Sequence, residues 1–273
     1  MIEPKWKFKT VDEDCVNQVA ETFNLPRTIA RIMSLRGLSS RDVSREFFYP
    51  DAHRLHDPFL MKDMDKAVDR ILTSISTNKT ILIFGDYDVD GTTSAAFLTI
   101  FFRSINVESH YYIPSRENEG YGVSNKGIDY ARYIGADILI TCDCGINAHD
   151  EVIYANEKNI DVIITDHHKA DDHLPEAHAI INPNRADCQY PFKGLCGASV
   201  VFKLALGICK KGGFDPKYVW QNSDVVTLGI AADLVPIQDE NRIIAYKGIR
   251  QMKKETNPGI IALLKTGGLL GKD

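Results

Sequence analysis

Thr80-Ile81-Leu82-Ile83-Phe84-Gly85-Asp86-Tyr87-Asp88-Val89-Asp90-Gly91 is the stretch that decides the fold. A short apolar run, long enough for one buried strand, ends in three aspartates at alternating positions. Gly91 follows, and Thr92 to Leu98 reads as the opening turns of a helix. Carboxylates this close repel one another unless a cation lies among them. A divalent metal answers that repulsion, and the rest of the chain must then supply further ligands.

Downstream the rhythm of strand, turn and helix repeats. Strands are expected at 80–85, 107–113, 137–141, 161–165 and 178–181, with helices at 92–104, 124–133 and 147–158 between them. Continuously apolar strands alternating with helices imply an α/β fold with an open, doubly wound, mainly parallel sheet and flanking helices. Further helices are expected at 197–211, 215–231 and 241–255. Upstream, residues 13 to about 48 read as short helices, with Asp12 or Asp14 capping the first and Ser39-Ser40-Arg41-Asp42 opening the third. A fourth, at 65–76, carries an apolar stripe at Ala67, Val68, Ile71, Leu72 and Ile75. The resulting division is a helical N-terminal region over 1–75 packed on the core, a catalytic domain over 76–255, and the start of a connection over 256–273.

Bulk properties narrow the class without naming it. The chain has 273 residues, 44% hydrophobic and 25% charged, as in ordinary globular proteins. No apolar run reaches membrane-spanning length and the N-terminus lacks a signal-peptide core. Six cysteines without zinc-type spacing read as reduced thiols of a cytoplasmic protein. A net charge of −5 argues weakly against a general nucleic-acid binder, although bound cations would reverse the local field.

In an open parallel sheet, ligands bind beyond the carboxyl ends of the strands. Here the first strand ends in Asp86, Asp88 and Asp90, the third in Asp143, and the fourth in Asp166-His167-His168. Oxygen and imidazole donors without thiolates favour Mn²⁺ or Mg²⁺ over a structural zinc site. There are more donors than one ion needs, so two ions sharing a carboxylate are expected, suited to attack of an activated water on a phosphorus ester. A calcium loop is the competing reading of Asp-x-Asp-x-Asp-Gly, but no glutamate stands at its twelfth position and a strand precedes it. Asp86 reads either as a helix cap or as a residue beside the ions, and His149, His173 and His178 as surface or loop histidines.

At these residues the chain resembles the DHH phosphoesterase superfamily. Asp166-His167-His168 matches the naming motif, Gly85 to Gly91 the first, Asp143-Cys144-Gly145 the second, and Ala232-Asp233-Leu234-Val235-Pro236 the fourth. Further stretches, among them Pro114-Ser115-Arg116 with Glu119-Gly120-Tyr121-Gly122, and Ile181 to Arg185, are similar to the RecJ family, and the likeness covers nearly the whole chain. It implies metal ligands at Asp88, Asp90, Asp143, His167 and Asp233, with Asp143 bridging and with Asp86 and His168 close to the ions or the scissile phosphate. Asp233 comes from the resemblance alone. Superfamily pyrophosphatases carry a ligating histidine where Phe84 stands, which argues against that activity.

The implied function is a two-metal, 5′→3′ exonuclease acting on single-stranded DNA in repair and recombination. The alternatives are a phosphodiesterase of short oligonucleotides or cyclic dinucleotides, and an inactive replication scaffold, which the complete ligand set disfavours. Arg116, Tyr121, Arg185 and Lys193 are candidates for substrate contact, each with a solvated-surface reading beside it, and Gly197-Ala198-Ser199 offers helix amides to a phosphate or packs closely on the sheet. The family further implies single-strand-binding protein and a helicase as partners, and additional domains beyond this core.

Overall fold

The computed structural model describes residues 5–254 and 257–271. They fall into two compact units, one within Met1–Arg54 and one within Leu55–Asp273. The smaller holds α1 (Glu13–Phe23), α2 (Arg27–Leu35) and α3 (Arg41–Phe48) around Val16, Val19, Ala30, Met33 and Leu38. Asp12 and Ser40 cap α1 and α3 through their side chains, because each offers an acceptor to an otherwise unpaired first-turn amide.

The larger unit opens with α4 (Met64–Ser76) and runs β1 (Ile81–Gly85), α5 (Val89–Ser104), β2 (His110–Tyr112), α6 (Asn125–Tyr133), β3 (Ile138–Cys142), α7 (His149–Glu157), β4 (Asp161–Thr165) and β5 (Ala179–Ile181). Helices α8 (Gly197–Gly212), α9 (Lys217–Trp220), α10 (Ser223–Ala232), α11 (Asp239–Met252) and α12 (Pro258–Thr266) follow. The unit boundary falls after Arg54, not at residue 75. The reason is packing: Met64, Ala67, Val68 and Ile71 of α4 share one core with β1, β3 and α8. Of the segment 256–273, α12 occupies Pro258–Thr266, while Thr256, Lys272 and Asp273 lie outside the described residues, as does Glu255.

All five strands are parallel, in the order β2-β1-β3-β4-β5. Alternate strand residues serve opposite faces: Ile81 and Ile83 enter the core beneath α4, α5 and α8, whereas Leu82 and Phe84 enter the one beneath α6 and α7. Phe97, Phe101 and Phe102 of α5 are fully buried, each contributing about 2–3 kcal/mol of apolar transfer. The helix expected over 215–231 is broken into α9 and α10. Asn222 sits at the break, its side-chain amide bonded back to the Tyr218 carbonyl in competition with the helical ladder. Among the described residues no helix is long and apolar enough to cross a membrane.

Register places the site. Gly85 pairs with Cys142, Cys142 with Thr165, and Thr165 with Ile181. The residues that follow, Asp86, Asp143, Asp166 and Asn182, therefore stand in one row along the carboxyl edge. Strand order reverses at β1, flanked by β2 and β3, so the crevice of a doubly wound sheet opens beside Asp86 and Asp143.

Candidate metal centre

The first aspartate loop is tighter than expected. Helix α5 begins at Val89 because Asp88 caps it, Oδ1 accepting from the Gly91 amide at 2.9 Å. Asp90 is thereby drawn into the first turn and buried. Its carboxylate accepts from two amides at the start of α8, Gly197 at 2.6 Å and Ala198 at 3.0 Å. The amides expected to be free for a phosphate are thus spent on Asp90, with the positive end of the α8 dipole behind them. Gly197 is also the close-packing residue, since a Cβ there would lie 2.5 Å from the Asp143 side chain.

Asp143 leaves β3 in the left-handed region, at φ +64°, a conformation aspartate tolerates better than most residues. The turn aims its carboxylate at His167, with Oδ1 3.1 Å from Nε2. The same nitrogen is 4.0 Å from Asp90 Oδ2 and 3.7 Å from Asp233 Oδ2. Donor atoms of two trios, Asp143/His167/His168 and Asp90/His167/Asp233, lie within 4.8 Å of one another. Asp143 Oδ1, His167 Nε2 and Asp86 Oδ2 are buried without a hydrogen-bond partner. Unpaired buried polar atoms are costly, so opposed oxygen and nitrogen lone pairs mark a place built for a cation. Hard oxygens with an imidazole fit Mn²⁺ or Mg²⁺. His167 is common to both trios, and because an imidazole nitrogen has one lone pair and cannot bridge two ions, a carboxylate would have to do so.

The carboxylates respond to this crowding. Burial, then the charges of Asp90 and Asp88, push Asp143 up to about 10. Burial also raises Asp90, against the pull of the Ala198 amide and His167, and it raises Asp86. Asp166 goes the other way: burial opposes its charge, but the His168 ring at 2.7 Å and the amides of His168 and Ile146 prevail and hold it low. His168 is raised by that hydrogen bond.

A pH trend follows. In the metal-free fold Asp143 keeps its proton up to about 10, while in the unfolded chain it ionises near ~4. The unfolded state binds fewer protons in between, so metal-free stability falls as pH rises across that window. The raised His168 acts in the same sense, its contribution being present below ~6.5 and lost as pH rises through its folded value. Divalent cations displace these protons and bind more tightly as pH rises. Thermal unfolding from pH 5 to 9 should show a falling midpoint in chelator and a rising gain on adding Mn²⁺. A gain independent of pH would contradict it.

Other expected site residues are distributed unevenly. Asp233 stands at the C-cap of α10, facing His167. Asp88 and Asp86 belong to neither trio. Asp86 is fully buried, its Oδ1 accepting from the Gly122 amide at 3.3 Å. The Tyr121 hydroxyl lies 3.3 Å from His168 Nε2, and its ring meets Tyr87 edge-on at 6.3 Å. Arg116 is exposed with its guanidinium over the Tyr87 ring at 5.3 Å, so Arg116, Tyr87, Tyr121 and His168 form a continuous wall. Phe84 is buried in β1 and stacks on Tyr112.

Arg185 and Lys193 are tied to protein partners. Arg185 is buried, forked onto Asp187 at 2.8 and 2.9 Å and bonded to Asp63 at 2.7 Å and the Ile180 carbonyl at 2.6 Å. Lys193 donates to the Pro183 and Cys188 carbonyls. Both cations staple the loop after β5, and the buried Arg185 has its guanidinium engaged by Asp63, Asp187 and the Ile180 carbonyl. Arg185→Ala should therefore cost about 3 kcal/mol of stability in denaturant titration, with no specific loss of DNA affinity in the folded fraction. A DNA-binding defect at unchanged stability would refute that.

The stapled loop has a role that sequence reading missed. Asn182 Nδ2 holds the His168 carbonyl at 2.9 Å and Asn184 Nδ2 the His167 carbonyl at 2.5 Å, fixing the two-histidine turn from behind. The spacing Asn-Pro-Asn directly after a strand, typical of Asx turns, was the available signal.

The family model described as DHH family, N-terminal domain, matches residues 80–230. The chain is 36% identical to the single-stranded-DNA-specific exonuclease RecJ of Bacillus subtilis (strain 168) over 269 residues, covering 98% of this chain and 34% of that protein. It is 37% identical to RecJ of Escherichia coli (strain K12) over 216 residues, 75% of this chain and 37% of that one. A solved exonuclease RecJ bound to manganese aligns at 28% identity and TM-score 0.72, over 82% of this chain and 55% of that one. RecJ in complex with Mn²⁺ from Thermus thermophilus aligns at 23% identity and TM-score 0.78, over 96% and 36%, a likeness of fold. The chain thus spans about a third of the length of the curated relatives it matches.

Proposed function

Because the chain belongs to the DHH family, we propose that it is the catalytic core of a RecJ-type nuclease that hydrolyses single-stranded DNA from the 5′ end. The observation that carries this reading is the convergence of Asp90, Asp143, His167 and Asp233, with two of the facing atoms buried and unpaired. Manganese in the related RecJ structure supports the choice of ion, and Mg²⁺ is the alternative. Asp88, Asp90, Asp143, His167 and Asp233 are the proposed ligands of two ions, Asp88 through the oxygen not used in capping. When bound, the ions supply Lewis-acid activation of water and charge neutralisation at phosphorus.

The chain's own groups do the rest. Asp166 orients the His168 ring and favours its protonated form, so that His168 presents an N–H to a phosphate oxygen at the rim. Asp86 lies beside the ions, held by Gly122. Tyr121 and Tyr87 offer stacking faces that accept any base, and Arg116 offers a phosphate-directed charge. The larger unit carries all of these residues. We place the protein in the cytoplasm, in keeping with six free cysteines, and take single-strand-binding protein and a helicase as candidate partners.

Long single strands labelled at the 5′ or the 3′ end, with Mn²⁺ and without, test the reading. Metal-dependent loss of the 5′ label first is expected. Hydrolysis confined to dinucleotides or cyclic dinucleotides would replace this reading with that of a short-oligonucleotide phosphodiesterase. Arg116→Ala should weaken binding of all sequences alike and lower the salt slope by about one unit, measured by fluorescence anisotropy; an unchanged slope would remove Arg116 from the interface.

A further inference from the structure

We propose that Asn241 is a positioning residue that sets Asp233 against Asp90 and so governs one of the two metal positions but not the other. The inference rests on the reading of Asp233 as a ligand. Asp233 ends α10, and the connection from it to α11 contains Leu234, which is 88% exposed and in the left-handed region at φ +56°. Pro236, Ile237 and Gln238 are also exposed, so apolar burial fixes this connection only at Val235.

A buried amide supplies the missing anchor. Asn241, wholly buried in the first turn of α11, donates from Nδ2 to the Pro236 carbonyl at 3.1 Å and to the Gly194 carbonyl at 2.6 Å. Its Oδ1 accepts from the Ser199 hydroxyl at 2.9 Å. Gly194 precedes Cys196, the N-cap of α8, and Ser199 lies in the first turn of that helix. The same turn grips Asp90 through the Gly197 and Ala198 amides. One side chain, with both amide hydrogens and its oxygen engaged, therefore ties the segment that follows Asp233 to the clamp that holds Asp90. A satisfied buried polar group of this kind specifies geometry more than it adds stability.

The brace is separable from the helix that bears it. The neighbouring Glu240 pairs with buried Lys203 of α8 at 2.6 Å and accepts from the Tyr190 hydroxyl at 2.5 Å. Those bonds keep α11 docked when the Asn241 amide is removed. None of the three Asn241 hydrogen bonds reaches Asp143, His167 or His168. Its loss should loosen the Asp90/His167/Asp233 position and leave the position at Asp143 intact.

Calorimetric Mn²⁺ titration near neutral pH, with the Mn²⁺-induced shift of the unfolding midpoint, decides this. The wild type should bind two ions. Asn241→Ala should weaken one of them about 10–100-fold, the range for loss of an outer-sphere partner, and leave the other unchanged. Asn241→Asp, which keeps the acceptor and loses both donors, should behave alike. In an Asp233→Ala background, Asn241→Ala should add no further loss, an outcome that general destabilisation would not give. Equal weakening of both ions, no weakening, or additive losses would overturn the proposal. Should Asn241→Ala not fold, Ser199→Ala, which frees the amide oxygen, must show the same selectivity in smaller measure, and its failure to do so is equally fatal. A wild type that binds no Mn²⁺ would instead refute the ligand reading itself.

Discussion

Asp143→Asn is expected to reduce Mn²⁺-dependent hydrolysis of single-stranded DNA by on the order of 10³-fold or more while the protein stays folded. Asp143 is the buried acid nearest His167 Nε2, and burial with its like-charged neighbours pushes it up to about 10. Neutralising it removes the proposed bridging charge, which no neighbour can replace. It also removes a buried acid that must hold its proton in the metal-free fold but ionises in the unfolded chain, so metal-free stability should hold or rise. Asparagine is preferable to alanine here because the backbone stands at φ +64°, where asparagine is tolerated. Single-turnover rates with melting curves in chelator separate the two effects. Unchanged hydrolysis would revive the reading of a non-catalytic scaffold.

Gly229→Ala should be nearly as damaging, although glycine has no functional group. This glycine of α10 faces α5 and α8, and a Cβ built on it lies 2.5 Å from Asp90 Oδ1 and 2.8 Å from both Ala198 Cβ and Thr93 Oγ1. Distances this short force Asp90 off the α8 amides or push the helices apart. Overpacking costs about 1–3 kcal/mol, and the better helix propensity of alanine returns only about 1 kcal/mol of that. The functional cost is larger, because displacing a ligating group by about 1 Å lowers rates by about 10²-fold. Gly207→Ala in α8 is the control: its nearest contact would be Val68 at 3.2 Å, away from the site. Activity should survive there, and loss in both variants alike would point to generic fragility of the helical layer.

The fold was legible because burial on both faces leaves a plain trace. Strands such as Ile81 to Gly85 and Ile138 to Cys142 are apolar almost without interruption, and an acid follows each. That same trace put Asp90, Asp143 and His167 on one rim before any coordinates. What pattern could not show was the function of side chains that look alike in sequence. Asp88 and Asp90 are two residues apart, yet one caps α5 and is exposed while the other is buried under α8. Asp233 belongs to a helix end with no periodic signature, and only family likeness pointed to it. Arg185 and Lys193 looked like substrate cations because a loop cation gives no sign of its partners. For Arg185 the clue was local, since Asp187 stands two residues on and takes its fork. The α8 amides were read either as free for a phosphate or as close packing; they are spent on the protein's own Asp90, and Gly197 packs against Asp143.

The row formed by Asp86, Asp143, Asp166 and Asn182 has a kinetic consequence. Its acids are remote in the chain and meet only when β1, β3 and β4 zip in register. Each pairing adds one more charge or forced proton to the same edge, so the last steps of chain collapse run uphill electrostatically. Mn²⁺ present during refolding would change which limb of the chevron responds. If the strand ends are aligned in the transition state, the ion accelerates refolding; if they align afterwards, it slows unfolding alone. The position of the acids in the register thus makes the candidate metal centre a reporter of when a parallel sheet closes.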